Sequence, residues 1–112
     1  MAKDDAKTQL LPGTLDLLLL KTLALEPMHG YGIALRIKQI SREVLLIEEG
    51  TLYPALQRLL VNGWVKAEWR RTENNRRARY YRLTPDGRKH LEKESRNFDR
   101  LLNAMLRVME AS

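Results

Sequence analysis

The sequence predicts a mainly α-helical fold that carries a small β-hairpin and ends in a long helix. Three observations support this prediction. Apolar residues recur at helical spacing in three segments before residue 63. Within residues 65–84, apolar and polar side chains alternate instead. Further along, Leu91, Phe98 and Met105 lie seven positions apart, which is typical of one long helix. With 112 residues the chain has the length of one small domain.

The first predicted helix follows a Pro-Gly pair and runs to about Leu25, with Thr14 as its N-cap. Residues 1–10 are predicted to be a flexible segment. Leucines occupy most of the circumference of this helix, whereas a surface helix of a small monomer shows one apolar stripe. The helix therefore needs cover on more than one side, and we expect Leu15 and Leu19 to contribute to a dimer interface.

Two shorter helices are predicted next, and each has one buried stripe. The second helix runs from about Tyr31 to Ser41. The third begins near Gly50 and ends at Asn62, where Gly63 is a natural stop. The inner faces are expected to hold Ile33, Ile37 and Ile40 in the second helix and Leu52, Leu56, Leu59 and Leu60 in the third.

The predicted β-hairpin holds most of the excess positive charge. Residues 65–72 and 78–84 alternate between apolar and polar side chains, and residues 73–77 form a turn with two asparagines, which tolerate left-handed backbone angles. The whole chain carries a formal net charge of +6, and seven basic and two acidic side chains give residues 66–82 alone a net +5. Such a cluster attracts a polyanion through Coulomb forces and counterion release.

The last helix is predicted to begin at Pro85, with Thr84 as its cap, and to run to about Ala111. A helix of about 40 Å, at 1.5 Å per residue, extends beyond a small domain. We expect its apolar second half to pair with a copy of itself and with the first helix of the partner. Residues 85–112 are thus predicted to be a dimerisation helix. Its expected interface residues are Leu91, Phe98, Leu101, Leu102, Met105 and Met109.

Three helices followed by a hairpin are the order of a winged helix-turn-helix, which is predicted to span residues 11–84. In this fold the third helix enters the major groove of DNA, and the hairpin, or wing, reaches an adjacent groove or the backbone. Gln57 can read adenine edges, and Arg76 and Arg77 at the wing tip suit phosphates or a narrow minor groove. The predicted DNA contacts are Thr51, Tyr53, Pro54, Gln57 and Arg58 in the recognition helix 50–62, and Lys66, Arg76, Arg77 and Arg79 in the wing 65–84.

Four short motifs stand in order along the chain. They are Met-His-Gly-Tyr-Gly-Ile at 28–33, Gly-Thr-Leu-Tyr-Pro-Ala-Leu at 50–56, Asn-Gly-Trp-Val at 62–65, and Arg-Tyr-Tyr-Arg-Leu-Thr-Pro-Asp-Gly at 79–87. From about Leu11 to its end the chain resembles the PadR family of bacterial transcriptional regulators. The single helix after the wing is similar to that of the compact PadR subgroup.

The resemblance implies a homodimeric repressor that binds a pseudo-palindromic operator in double-stranded DNA. Some compact members bind aromatic or drug-like ligands between the subunits with a Trp on the last helix, where this chain has Phe98 and no Trp. A small-molecule effector is therefore left open as a further partner.

Two other classes of protein fit the sequence less well than a DNA-binding regulator does. The alternative is a winged-helix module that binds an acidic protein surface, but such modules usually lack a basic wing tip. A small enzyme has no support, because the sequence shows no nucleophile–base pair, metal-ligand cluster or cofactor loop. We expect no enzymatic activity, no cofactor and no metal, and we expect His29 and His90 to have structural roles.

The sequence also predicts where the protein works. It has no cysteine, its longest apolar run is the four residues 17–20, and no signal-peptide pattern follows its first methionine. A membrane span needs about 20 apolar residues. We therefore expect a cytoplasmic protein without a membrane partner.

Overall fold

The computed structural model describes residues 10–111, in which four helices and three strands follow one another. The helices are α1 (Pro12–Leu25), α2 (Gly30–Ile40), α3 (Glu49–Val61) and α4 (Pro85–Glu110). The strands are β1 (Met28–His29), β2 (Val65–Arg71) and β3 (Arg77–Leu83). The predicted fold class, a winged helix-turn-helix with a long C-terminal helix, is confirmed. Apart from Leu10, the predicted flexible segment 1–10 lies outside the described residues.

The strands form an antiparallel sheet in the order β1-β3-β2. At its base Val65 pairs with Leu83, and at its far end Arg71 pairs with Arg77, so the predicted hairpin is present. Its turn contains Asn75 at a φ of 59°, in the left-handed region that asparagine tolerates. The sequence does not predict β1, because two residues are too few to show alternation.

The hydrophobic core lies where α1, α2, α3 and the base of the sheet meet. Each element contributes an apolar stripe, and a fully buried aliphatic side chain stabilises the fold by about 1.5–3 kcal/mol relative to exposure. The largest fully buried side chains are Leu19 and Leu20 of α1, Ile33 of α2, Leu52, Leu56 and Leu59 of α3, and Val65 of β2.

Three residues that were expected at a dimer interface lie in this core instead. Leu15 and Leu19 of α1 are 2% and 0% exposed, and Leu91 of α4 is 7% exposed. These side chains have almost no surface to offer a partner, so their assignment to the interface is corrected. The reason is that α2, α3, α4 and β3 all pack against α1 within one chain and cover its leucines.

Two helix details also differ from the sequence expectation. The N-cap of α1 is Leu11 rather than Thr14, and its carbonyl oxygen accepts a hydrogen bond of 3.0 Å from the N–H of Leu15. Ile40 is 64% exposed, although Ile33 and Ile37 of the same stripe are buried. Because α2 ends at Ile40, its last turn extends past the core.

Thr84 fixes the start of α4 against the end of α3. Its hydroxyl donates to the carbonyl oxygen of Gly63 at 2.7 Å and accepts from the N–H of Gly87 at 3.0 Å. Its own N–H donates to the carbonyl oxygen of Trp64 at 3.0 Å. The predicted N-cap is confirmed, and these bonds also determine where α4 leaves the domain.

We predict that Thr84→Val destabilises the fold by about 2 kcal/mol, because the cap is lost and a buried donor and acceptor lose their partner. Thermal unfolding followed by circular dichroism measures the change. Thr22→Val is the matched control, because Thr22 is equally buried and its hydroxyl only bonds the carbonyl oxygen of Leu18 one turn earlier in α1. An equal loss in both variants would contradict the role given to Thr84.

Beyond its first two turns α4 no longer contributes to the core. Its buried residues are Gly87 and Leu91, both close to its N-terminus. The second half carries what we call the C-terminal apolar face, a set of exposed apolar side chains. This face consists of Phe98, Leu101, Leu102, Met105, Leu106, Val108 and Met109. Within residues 10–111, no helix combines the length and apolar character that crossing a membrane requires.

Candidate nucleic-acid interface

The outer face of α3 exposes the predicted contact residues, but on two different edges. Thr51, Tyr53, Pro54 and Gln57 all lie on the surface. At about 100° per residue, Tyr53 and Gln57 are neighbours on one edge, whereas Thr51 lies roughly 160° away from Tyr53. The structure therefore separates Thr51 from Tyr53, which the sequence had grouped together.

Arg58 lies on the same edge as Thr51 and is held by α1. Its Nη2 atom donates to Oδ1 of Asp16 at 2.8 Å, and the Asp16 side chain is only 18% exposed. This ion pair links α3 to α1, and the Asp16 carboxylate offsets the charge with which Arg58 would attract a phosphate. This arrangement favours a direct DNA contact by Arg58 less than it favours contacts by the other predicted residues of α3.

Tyr53 packs its ring over Gly30, the first residue of α2. A Cβ at Gly30 would lie 2.8 Å from both Cε1 and the hydroxyl oxygen of Tyr53, so this close approach requires a glycine. Burial raises the pKa of the Tyr53 hydroxyl, and the charge of Glu49 and then the nearby Tyr81 raise it further. The side chain nevertheless remains 44% exposed. Tyr53 thus joins α3 to α2 and still offers part of its ring to a ligand.

We predict that Gly30→Ala pushes the Tyr53 ring outwards and shifts its pKa back towards the ordinary value. Ultraviolet titration of the phenolate band measures this, and the difference from Tyr53→Phe isolates the signal. Because the folded pKa lies above the unfolded one, the neutral phenol contributes stability below the unfolded pKa, and this contribution is lost as pH rises through the folded pKa. Gly50→Ala is the control, since its Cβ would meet nothing within 4 Å. An unchanged titration in Gly30→Ala would contradict the packing described.

The predicted wing residues lie on two opposite faces of the hairpin. Side chains of paired residues share a face, and Arg79 pairs with Trp69 while Arg77 pairs with Arg71. This is the face that also carries the buried side chains of the sheet. Lys66 pairs with Arg82 on the other face. The structure therefore brings Arg77 and Arg79 together and places Lys66 apart from them.

An open groove of about 1000 Å³ runs between the wing and the helices. We call it the wing groove. It joins the Tyr53 edge of α3 to the arginines of the wing, and it also contains part of α2. Its polar and aromatic lining includes Tyr31, Arg36 and Gln39 of α2, Tyr53 of α3, Trp69 of β2, Arg76 from the turn, and Arg77, Arg79 and Tyr80 of β3.

The α2 residues of this groove were missed by the sequence analysis. Tyr31 is 68% exposed, and Arg36 lies 3.8 Å from a carboxylate oxygen of Glu26. The available signal for Tyr31 and Gln39 was their position about 140° around α2 from the stripe of Ile33 and Ile37. In helix-turn-helix proteins the helix before the recognition helix crosses the DNA backbone, so these side chains belong to the same surface.

The two histidines have structural positions, as predicted. Nδ1 of His29 accepts the N–H of Gly32 at 3.0 Å and caps α2. The ring of His90 stacks on Trp64, with the ring centres 3.6 Å apart. Among the residues that the structure describes, no three His, Cys, Asp or Glu side chains are grouped so that they could hold a metal ion.

Comparison with known proteins shows the family of the chain. Residues 19–93 match the model of the transcriptional regulator PadR-like family. The transcriptional regulator Rv3488 of Mycobacterium tuberculosis is 34% identical over 79 residues, which are 70% of each chain. An uncharacterised 37.1 kDa protein in transposon TN4556 of Streptomyces fradiae is 41% identical over 85 residues. That match covers 76% of this chain but only 23% of the transposon protein.

A solved structure shows the same fold. A transcriptional regulator from Clostridium thermocellum superposes with a TM-score of 0.77 at 30% identity, over 85% of this chain and 92% of that one. The family match begins in α1 and runs through β1, α2, α3 and the wing to the first turns of α4, so it includes all four motifs, at 28–33, 50–56, 62–65 and 79–87. The chain therefore belongs to the PadR-like family of transcriptional regulators.

Proposed function

We propose that the protein is a dimeric repressor that binds a pseudo-palindromic operator in the cytoplasm. Residues 11–84 bind DNA, with α3 in the major groove and the wing on an adjacent groove or the backbone. Residues 85–112 hold two subunits together. Two-fold symmetry then spaces the half-sites by about 10 base pairs or a multiple of that number.

The observation that carries this proposal is the wing groove. It places an exposed residue of α3, Tyr53, on one continuous surface with Arg76, Arg77 and Arg79 of the wing. When α3 lies in the major groove of a duplex, the phosphates beside that groove are within reach of the basic wing. Because the first 65 residues carry no net charge, this surface concentrates the attraction for DNA.

The dimer is supported by the C-terminal apolar face. Met105 and Leu101 on it are 55% and 60% exposed, and Met109 is 80% exposed. Contiguous apolar patches of this kind mark interaction sites in soluble proteins. Their spacing of three, four and seven residues suits packing against another helix, and a second copy of α4 supplies a matching face.

We predict that the double change Arg76→Ala and Arg77→Ala weakens binding to every DNA sequence by about 100-fold, since each charge-assisted contact contributes about tenfold. The slope of log affinity against log salt should fall by about two. Gln57→Ala should instead change the preference among sequences. Fluorescence anisotropy with fragments from upstream of the protein's own gene, and with random duplex, measures both effects over a salt series.

Arg70→Ala is the control for this series, because its guanidinium is paired with Glu68 on the opposite face of the hairpin. Its affinity should stay within about twofold of the parent. Equal affinity of the parent protein for promoter and random DNA would contradict sequence-specific regulation. A flat salt response with capture of an acidic protein surface would favour the alternative, a winged-helix protein-interaction module.

A further inference from the structure

The wing carries an exposed tryptophan that is covered by an arginine. Trp69 is 59% exposed, which is unusual for so large an apolar side chain. The guanidinium carbon of Arg77 lies 4.9 Å from the centre of its ring. A cation over the face of an indole is attracted by the negative potential of the ring, so this contact favours one orientation of the Arg77 side chain before any ligand binds.

This pair stands at the wing groove. Trp69 and Arg77 lie on the face of the hairpin whose inner members, Val65 and Tyr81, are buried in the core. Further out the same face leaves the core and lines the groove that it shares with Tyr53 of α3. Among the described residues Arg77 makes no ion pair with a carboxylate, so the charge over the indole is not neutralised by a neighbour.

The opposite face of the hairpin holds a similar pair with a different outcome. The guanidinium carbon of Arg70 lies 5.3 Å from the ring centre of Tyr80. Nε of Arg70, however, donates to a carboxylate oxygen of Glu68 at 3.1 Å, and Tyr80 contacts His29 edge-on at 5.2 Å between ring centres. This second pair is therefore satisfied within the protein. A third pair, Arg79 over Tyr81 at 5.9 Å, has its ring buried in the core, because Tyr81 is only 5% exposed. Among these three pairs, Trp69–Arg77 combines an exposed ring with an arginine that has no carboxylate partner among the described residues.

We propose that Trp69 and Arg77 act as one unit on a sugar–phosphate strand of duplex DNA. The indole holds the guanidinium so that it binds a phosphate, and the exposed edge of the ring packs against a deoxyribose. Ordering an arginine in advance reduces the entropy lost on binding. Trp69 is thus a positioning residue as well as a contact. The inference rests on the proposed DNA-binding function and assigns a role to a residue outside the predicted contacts.

The test measures binding of a labelled random-sequence duplex by anisotropy over a salt series. Arg77→Ala and Trp69→Leu should each weaken binding about tenfold, and the double variant should be no weaker than Arg77→Ala, because one unit is lost in each case. Trp69→Leu removes no charge. This variant should still lower the slope of log affinity against log salt by about one, since Arg77 no longer binds its phosphate. Trp69→Phe keeps an aromatic platform and should bind within about threefold of the parent.

Arg70→Ala serves as the matched control and should leave both affinity and slope unchanged. Additive losses of about 100-fold in the double variant would overturn the inference. An unchanged salt slope in Trp69→Leu would do the same, because the indole would then not position Arg77. If the parent protein binds no duplex at all, the proposed function fails, and the inference fails with it. Thermal unfolding confirms that each variant is folded, as the exposure of Trp69 leads us to expect.

Discussion

Gly87→Ala is expected to destabilise the protein by about 3 kcal/mol, the largest loss expected for an alanine at any of its glycines. A Cβ at this position would lie 2.8 Å from the carbonyl carbon of Trp64, closer still to its oxygen, and 2.9 Å from a methyl group of Leu83. The Trp64 carbonyl group belongs to the backbone and cannot give way as a flexible side chain would. The melting temperature should fall by roughly 15 °C, measured at fixed protein concentration.

The control for this prediction is Gly50→Ala. Gly50 also lies in the first turn of a helix, and its Cβ would meet nothing within 4 Å. Alanine is favoured over glycine in helices by about 1 kcal/mol, so this variant should be at least as stable as the parent. If Gly87→Ala has the same melting temperature as Gly50→Ala, then the close approach of α4 to the Trp64 carbonyl is contradicted.

Met105→Glu is expected to abolish dimerisation and, with it, tight binding to a two-half-site fragment. Met105 is central to the C-terminal apolar face and is 55% exposed in a single subunit. Burying a carboxylate between two apolar helices without a partner costs several kcal/mol. Sedimentation should show a monomer. Affinity for the fragment should fall by about 100-fold, because two linked subunits no longer bind its two half-sites together.

Arg107→Glu is the matched control on α4. Two residues along a helix correspond to about 200°, so Arg107 points away from the Met105 face. It changes the net charge by more than Met105→Glu does, yet the dimer should persist. A dimer that survives Met105→Glu would locate the subunit interface elsewhere. A monomeric parent protein at micromolar concentration would contradict the dimer itself.

The wing shows how far local sequence patterns can lead. Alternation between 65 and 84 predicts the two strands, and the cluster of arginines predicts a polyanion as the ligand. The pattern does not say which face of the hairpin lies above the core. That face is decided by the burial of Val65 and Tyr81, and it places Arg77 and Arg79 in the wing groove but Lys66 on the other side.

The recognition helix shows the same limit. Its bounds and its outer face follow from the leucine spacing, to within a residue or two. The pairing of Arg58 with Asp16 joins residues 42 positions apart, and no periodicity within one helix reports it. The packing of Tyr53 on Gly30 is similarly remote in sequence, although both residues belong to the motifs that resemble the family.

The sequence by itself determined the fold class, the order of the helices and the hairpin, and the family, because spacing, charge and short motifs are properties of neighbouring residues. The tertiary structure decided which leucines are available to a partner. Leu15, Leu19 and Leu91 are enclosed by elements of the same chain, while Met105 and its neighbours are not. Burial depends on contacts between distant segments. The sequence pattern of an apolar side chain is the same whether its own subunit or another subunit covers it.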